Sequence, residues 1–401
     1  MATETPRVVN SEGMRLVESA PVGADIAAAR EPAARLSRRG LLRGALASAL
    51  VSATGGCLPA RQGVGGPRLV GCAVDRAATD YAVVALDARN ELCWRTPLPA
   101  RGHAVIGLPS REQLLVLARR PGAFALLLDA RSGAVLRRLD QPAGRFFYGH
   151  GAELPESGEL LTAEFDGARD SDWIVIRDAS TLREIDRLPA HGTGPHDLAL
   201  LPEGRLLIAN GGYRSTRERR ELSASGRPDS QLVVVSLSSG RALERLRVDD
   251  PLASLRHVAV DVDERGQARL FVAAQRSGRR AHPDRALLYA ADDGGGLQPV
   301  AAPDATWLGF AGYLGSIMMS QGLVVATSPP GRTLGVWRVA DLTFLGSFSA
   351  GDLAGLAAAP DGFVAADGRG ALYRFTPAQS LDSASVTRVA GIRWDNHLTA
   401  V

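Results

Sequence analysis

Seven histidines occur in the chain, and five of them fall at matching places in a repeated sequence unit. His103, His150, His196 and His257 each open the first short apolar segment of a unit, and His397 does the same near the end of the chain. His103 precedes Pro109 by six residues, His196 precedes Pro202 by six, and His150 precedes Pro155 by five. A bulge or a shorter turn absorbs that one-residue difference. Imidazole is a ligand for transition metals and a hydrogen-bonding group for polar ligands, so five of them brought together would make a metal centre or a ligand pocket. His191 precedes His196 by five residues, and the Gly-rich turn between them is expected to bring it to the same mouth. Glu164 closes the second strand of its unit and is the best candidate for a carboxylate partner. His282 lies in a connection away from the repeated position.

Such a gathering needs an architecture that carries one sequence position to one place several times over. The stretch from His103 to Leu139 supplies the unit, four short apolar segments separated by turns such as Ala130-Arg131-Ser132-Gly133. That is the pattern of a four-stranded antiparallel sheet. The unit recurs from His150, His196, His257, Gly315 and Ala354, and the leftovers complement each other: three strands before His103 and one after residue 390. The expected fold is all-β, a seven-bladed β-propeller closed by pairing N- and C-terminal strands in one blade. With 44 Gly, 23 Pro and only 5% aromatic residues, the composition favours many short strands and tight turns. The units at Gly315 and Ala354 carry no histidine, so the expected ring is lopsided with an open side. One connection, 211–230, is longer than the rest, carries Arg214, Arg217, Arg219, Arg220 and Arg227, and reads as a solvated mobile loop ahead of a lid.

Formal net charge is +3, and the basic residues, all of them Arg, are scattered among 43 acidic ones. No basic stripe interleaved with aromatics is present, which excludes nucleic acid as the expected partner. Ser37-Arg38-Arg39-Gly40-Leu41-Leu42-Arg43, followed by a weakly apolar run over 45–53, has the form of a twin-arginine export signal. The run is too short to remain as a membrane-spanning helix. Residues 1–56 are therefore expected to be signal peptide and flexible N-terminal region, 57–401 the propeller, and the location periplasmic. Cleavage after Ala53 and lipid attachment at Cys57 both stay open, and a lipid on Cys57 would be the only membrane attachment. Cys72 and Cys93 fall on strands two apart in one blade, about 9–10 Å from each other and beyond disulfide reach. Two buried free thiols are expected.

Tyr148-Gly149-His150-Gly151, His191-Gly192-Thr193-Gly194-Pro195-His196-Asp197-Leu198, Asn210-Gly211-Gly212, Leu255-Arg256-His257 and Trp394-Asp395-Asn396-His397 together form a pattern. It resembles the exported bacterial family of domain of unknown function 1513, over nearly all of the chain from about Arg68 onward. The resemblance implies a propeller with a twin-arginine signal, and a place beside imelysin-like proteins of periplasmic iron uptake. Relatives usually read Thr-Glu-Asn-Asp where this chain has Ala163-Glu164-Phe165-Asp166, which keeps both carboxylates and loses the amide. Gly102-His103 and Gly149-His150 are also similar to the Gly-His pair of WD repeats, where the histidine packs the blade, although no Trp-Asp ends the third strands here.

Three functional readings stay open. The first is a monomeric, non-enzymatic accessory protein that binds iron or copper through the five histidines, with His191 and Glu164 as further ligands. The second is a metal-dependent hydrolase or oxidoreductase. The third is a protein-binding scaffold whose histidines pack the blades.

Overall fold

Within a unit, the inner segments are apolar on both faces and the last is not. Gln113–Ala118 and Phe124–Asp129 are buried almost throughout, whereas Val135–Asp140 alternates between exposed and half-buried. A strand buried on both faces needs a sheet against each side, and an alternating one marks the rim. The computed structural model meets this demand with seven four-stranded sheets. It describes residues 66–401 apart from 76, 216–219, 222–226, 277–281, 283–284 and 377–379. The twin-arginine segment, the run 45–53 and Cys57 lie outside the described residues.

Six blades are formed by consecutive strands, each starting from an innermost strand: Gly102–Leu108, Arg145–Leu154, Pro195–Leu201, Ala253–Val262, Ser316–Ser320 and Leu353–Ala359. The seventh combines Leu69–Asp75, Tyr81–Leu86 and Leu92–Pro97 with the C-terminal Ile392–Ala400 as its innermost strand. Leu69 pairs with Ala400, Val70 with Thr399 and Gly71 with Leu398, so the two ends of the chain close the ring by a ladder of backbone hydrogen bonds. The fold is therefore the seven-bladed propeller that the repeat count predicts.

One apolar cluster fills the space between each pair of adjacent blades. At the closing interface, Leu69, Val84, Leu86, Trp394 and Leu398 pack against Ala357, Val364, Ala366 and Leu372. The long connection carries a small ribbon, Arg214–Ser215 paired with Arg220–Glu221. Cys72 is buried and Cys93 is exposed, both as free thiols. The expectation of two buried thiols fails at Cys93 because Leu92–Pro97 is the outermost strand of its blade and faces solvent along most of its length.

Candidate metal centre

The five repeated histidines share a backbone irregularity that spacing alone does not show. Where the innermost strand pairs with the next, the register slips between Gly102 and Val105, Phe147 and Gly151, Pro195 and Asp197, and Leu255 and Val258. It slips again opposite Cys72, between Trp394 and Leu398. His103, His150, His196, His257 and His397 each sit inside one of these bulges. A bulge turns a side chain out of the strict in-and-out alternation of a strand and re-aims it, here toward the axis. A sixth bulge, between Leu353 and Leu356, holds Ala354 and Gly355. A Cβ on Gly355 would stand 2.9 Å from the Leu398 side chain, so glycine there lets the C-terminal strand come close.

The five rings meet as a closed group. Ring centroids are 4.6 Å apart for His397 and His103, 4.8 Å for His103 and His150, 5.1 Å for His150 and His196, and 4.5 Å for His196 and His257. His257 and His397 are 4.7 Å apart. The open side expected from the two blades without histidine is thus closed, because small residues in those blades let the rings on either side touch. His150 is central, within 5.1 Å of His257 and 4.9 Å of His397 as well. Two trios, His103/His150/His397 and His150/His196/His257, each bring three ring nitrogens within 4.8 Å of one another.

Hydrogen-bond partners settle which nitrogen faces inward. The Nε2 atoms of His103 and His150 are 3.0 Å apart, and those of His196 and His257 are 3.2 Å apart. On the far side of the rings, Nδ1 of His103 lies 3.6 Å from Asp395, and Nδ1 of His150 and His257 lie 3.4 and 3.6 Å from the two oxygens of Asp197. Backbone N–H groups of Leu198 and Val258 donate to Asp197, and that of Asn396 donates to Asp395, which fixes both carboxylates. Arg101 Nε also donates to Asp395 at 2.5 Å. His196 differs, because its Nδ1 is 2.9 Å from Arg120. Guanidinium only donates, so this Nδ1 accepts and the ring's proton sits on Nε2, directed at His257. His397 Nε2 is buried with no hydrogen-bond partner among the described residues.

Electrostatics hold His103, His196, His257 and His397 neutral. Burial first, then neighbouring imidazoles and Arg119, pushes His103 well below the ordinary histidine value. Burial and Arg120 do the same for His196, and burial with His103 and His257 for His397. His257 is lowered to about 4 by burial, against the opposing pull of Asp197. Burial alone would raise Asp197, but the imidazoles of His150 and His257 outweigh it and hold the carboxyl far below its usual range.

Two candidate residues are placed elsewhere. Glu164 is buried in its own blade, where Arg177 and Thr162 donate to one carboxylate oxygen and Gln141 and Arg145 to the other. All of its acceptor capacity is directed there, away from the rings. His191 Nε2 hydrogen-bonds the Gly240 carbonyl at 2.8 Å, on the outer part of its blade. His282 is exposed. The carboxylates that do reach the rings are Asp197 and Asp395, of which Asp395 flanks its histidine visibly in the sequence. Asp197 adjoins His196, and that adjacency is the only sign of its part.

A small pocket, with ≈ 10 Å³ of room, opens beside the cluster. His103, His196 and His257 line it together with Arg119, Arg120, Arg256, Gln275, Tyr313 and Asn396.

Fold and site together define a seven-bladed propeller with a buried imidazole centre on its axis. The chain belongs to the family described as Protein of unknown function (DUF1513), whose model matches residues 96–401. No curated protein matches the sequence. Among solved structures, hydrazine synthase of Kuenenia stuttgartiensis is similar at 12% identity and TM-score 0.51, over 84% of this chain and 100% of that one. The Cps50 (Swd1) β-propeller domain of Myceliophteria thermophila is similar at 13% and 0.50, over 82% of this chain and 98% of that one. The C-terminal WD40 domain of Sif2 is similar at 9% and 0.51, over 84% and 83%. At such identities the likeness is one of fold alone.

Proposed function

We propose that this protein is an exported, periplasmic accessory protein that binds a transition metal ion, iron or copper, through His103, His150, His257 and His397. The observation that carries the reading is the facing pair of Nε2 atoms of His103 and His150, 3.0 Å apart, with a carboxylate behind each ring. In the metal-ready form both rings carry their proton on Nδ1, that of His150 facing Asp197, and both Nε2 lone pairs point at each other. A cation between them converts that repulsion into two bonds. Two nitrogens bound to one metal at about 2.0–2.1 Å, at an angle between square and tetrahedral, are about 2.9–3.4 Å apart, which matches the spacing. A carboxylate on the far nitrogen is also the usual support of a metal-bound histidine, fixing its tautomer and raising its basicity. Inert packing histidines have no need of a shared carboxylate or of converging lone pairs. Imidazole suits iron and copper alike. A role in iron uptake beside imelysin-like proteins follows from the family resemblance and belongs to the same proposal.

The test is metal content of untagged protein from its exported location, then titration of the apo protein with Fe(II), Fe(III), Cu(II) and Zn(II). Alanine at His103, His150, His257 or His397 is expected to abolish tight binding, and Asp197→Asn to weaken it by about 10- to 100-fold. His191→Ala and His282→Ala should bind as wild type does. Loss of the fold in the ring variants, or equal binding in all of them, would return the histidines to a packing role.

A further inference from the structure

The two histidine trios share His150 and so compete for one ion, yet their hydrogen bonding differs. In the second trio, His150/His196/His257, two rings are engaged in a chain. Arg120 donates to His196 Nδ1 at 2.9 Å, the Nε2–H of His196 faces His257 Nε2 at 3.2 Å, and His257 Nδ1 faces Asp197 at 3.6 Å. Guanidinium cannot accept, so the chain runs in one direction, and each ring donates from the nitrogen turned away from Arg120. Two of the three members are thereby withdrawn. His196 Nε2 carries a proton where a metal needs a lone pair, and the lone pair of His257 Nε2 is already used. In the first trio, His397 Nε2 is buried with no hydrogen-bond partner among the described residues, beside the facing Nε2 atoms of His103 and His150.

We infer that Arg120 decides which trio takes the metal: by holding His196 with its proton on Nε2, it closes the second trio and leaves His103, His150 and His397 as the point of capture. This rests on the metal reading above and assigns the regulation of the same site. His196 is then a positioning residue, a cap on His257, and no ligand. His257, the fourth ligand, joins the ion only by giving up the His196 N–H, which exchanges one buried hydrogen bond for one metal–nitrogen bond. The proton stays on His196 throughout. Both rings are buried, where a hydrogen bond is stronger than in water and is not given up for one to solvent. A single N–H on Nδ1 fixes the His196 ring, whatever else the guanidinium binds.

Nitrogen NMR of histidine-labelled apo protein, followed by titration with Zn(II), tests this. The expected apo spectrum has the His196 ring protonated on Nε2 and bare on Nδ1, and a proton on Nδ1 instead would overturn the inference before any metal is added. With one equivalent of Zn(II), His196 should keep that proton while His103, His150 and His397 show metal-bound Nε2. Loss of the His196 Nε2 proton on binding overturns the inference and leaves the metal reading standing. In Arg120→Met the ring is released, and Zn(II) should displace the Nε2 proton. In Arg120→Lys, whose ammonium also only donates, it should not. Retention of the proton in Arg120→Met would remove Arg120 from this role. His196→Ala frees the His257 lone pair, so Cu(II) should bind about 2- to 10-fold tighter than in wild type, against the loss expected for His397→Ala. Weaker binding in His196→Ala would contradict the cap. Failure of both Zn(II) and Cu(II) to bind wild type sinks the metal reading, and this inference with it. The wild-type spectra decide the matter even if a variant fails to fold.

Discussion

Buried ionisable side chains in this protein divide into those that complete one another and those that leave lone pairs inward. Glu164 is of the first kind. With Arg177 at 2.5 Å and Arg145 at 3.0 Å, and both partners in its own blade, it is a structural ion pair. Glu164→Ala leaves Arg177 buried without its counter-charge and is expected to cost about 3–5 kcal/mol of stability in urea unfolding, with metal affinity unchanged. An effect on metal affinity without an effect on stability would contradict this. The histidines are of the second kind, and their neutrality gives the apo protein a pH dependence of definite sign. A base whose value is lowered in the folded state takes up its proton preferentially when unfolded, so stability falls as pH drops below the unfolded value. For His257 the window runs from about 6.5, the ordinary value, down to about 4. Each such ring removes about 1.4 kcal/mol per pH unit within its window. Thermal unfolding of the apo protein from pH 7 to pH 4 should show a progressive decline, and a flat profile above pH 5 would contradict the neutral cluster. The repeated histidines are legible in the sequence because one blade position recurs at a fixed offset from a turn. The partner of Glu164 is not, since a strand-end carboxylate carries no mark of which face it points to, and arginines on two strands, Arg145 and Arg177, share it.

At the scale of the strand, the bulge is what converts a packing position into a site. Regular alternation would send one residue of each inner strand to one blade interface and the next to the other. The slip inserts one extra residue, or two between Phe147 and Gly151 and between Trp394 and Leu398, and the histidine side chain there turns inward. Nothing in local propensity marks these slips, which is why the recurrence of the histidines at one blade position could be read from the residues while the contact of their rings and the part of Asp197 could not. Gly149 shows how finely the bulge is set. Its φ is +106°, and a Cβ there would lie 2.7 Å from His103 Cδ2. Gly144, at φ +83°, has nothing within 4 Å of such a Cβ. Alanine at either position incurs backbone strain of about 1–3 kcal/mol, but only Gly149→Ala also displaces His103. Both variants should therefore lose stability, while only Gly149→Ala loses metal affinity. Equal metal affinity in the two would show that the bulge does not position the ring.

At the scale of the whole molecule, the centre depends on ring closure, because His397 and Asp395 sit on the strand that closes it. Removing 392–401 takes away the innermost strand of the closing blade, exposes the edge of Leu69–Asp75 and strips Trp394 and Leu398 from the last interface. The expected outcome is a cooperative loss of stability across the domain, read as a lower urea midpoint with new aggregation. A truncated chain with the wild-type midpoint would mean that closure contributes little. The ring itself was legible because leftover strands at the two ends complete one unit. Its tight centre was not, since two blades without histidine suggest a gap that Gly355 and its neighbours instead allow to close.

The central claim is that the five-histidine cluster exists to hold a metal, and the coordination shell of that metal tests it most directly. X-ray absorption on protein loaded with one equivalent of Cu(II) should show at least three imidazole nitrogens at about 2.0–2.1 Å with the outer scattering of their rings. That pattern should vanish in His150→Ala, since His150 belongs to both trios. A shell of oxygens only, or an imidazole pattern that survives His150→Ala, would contradict the claim.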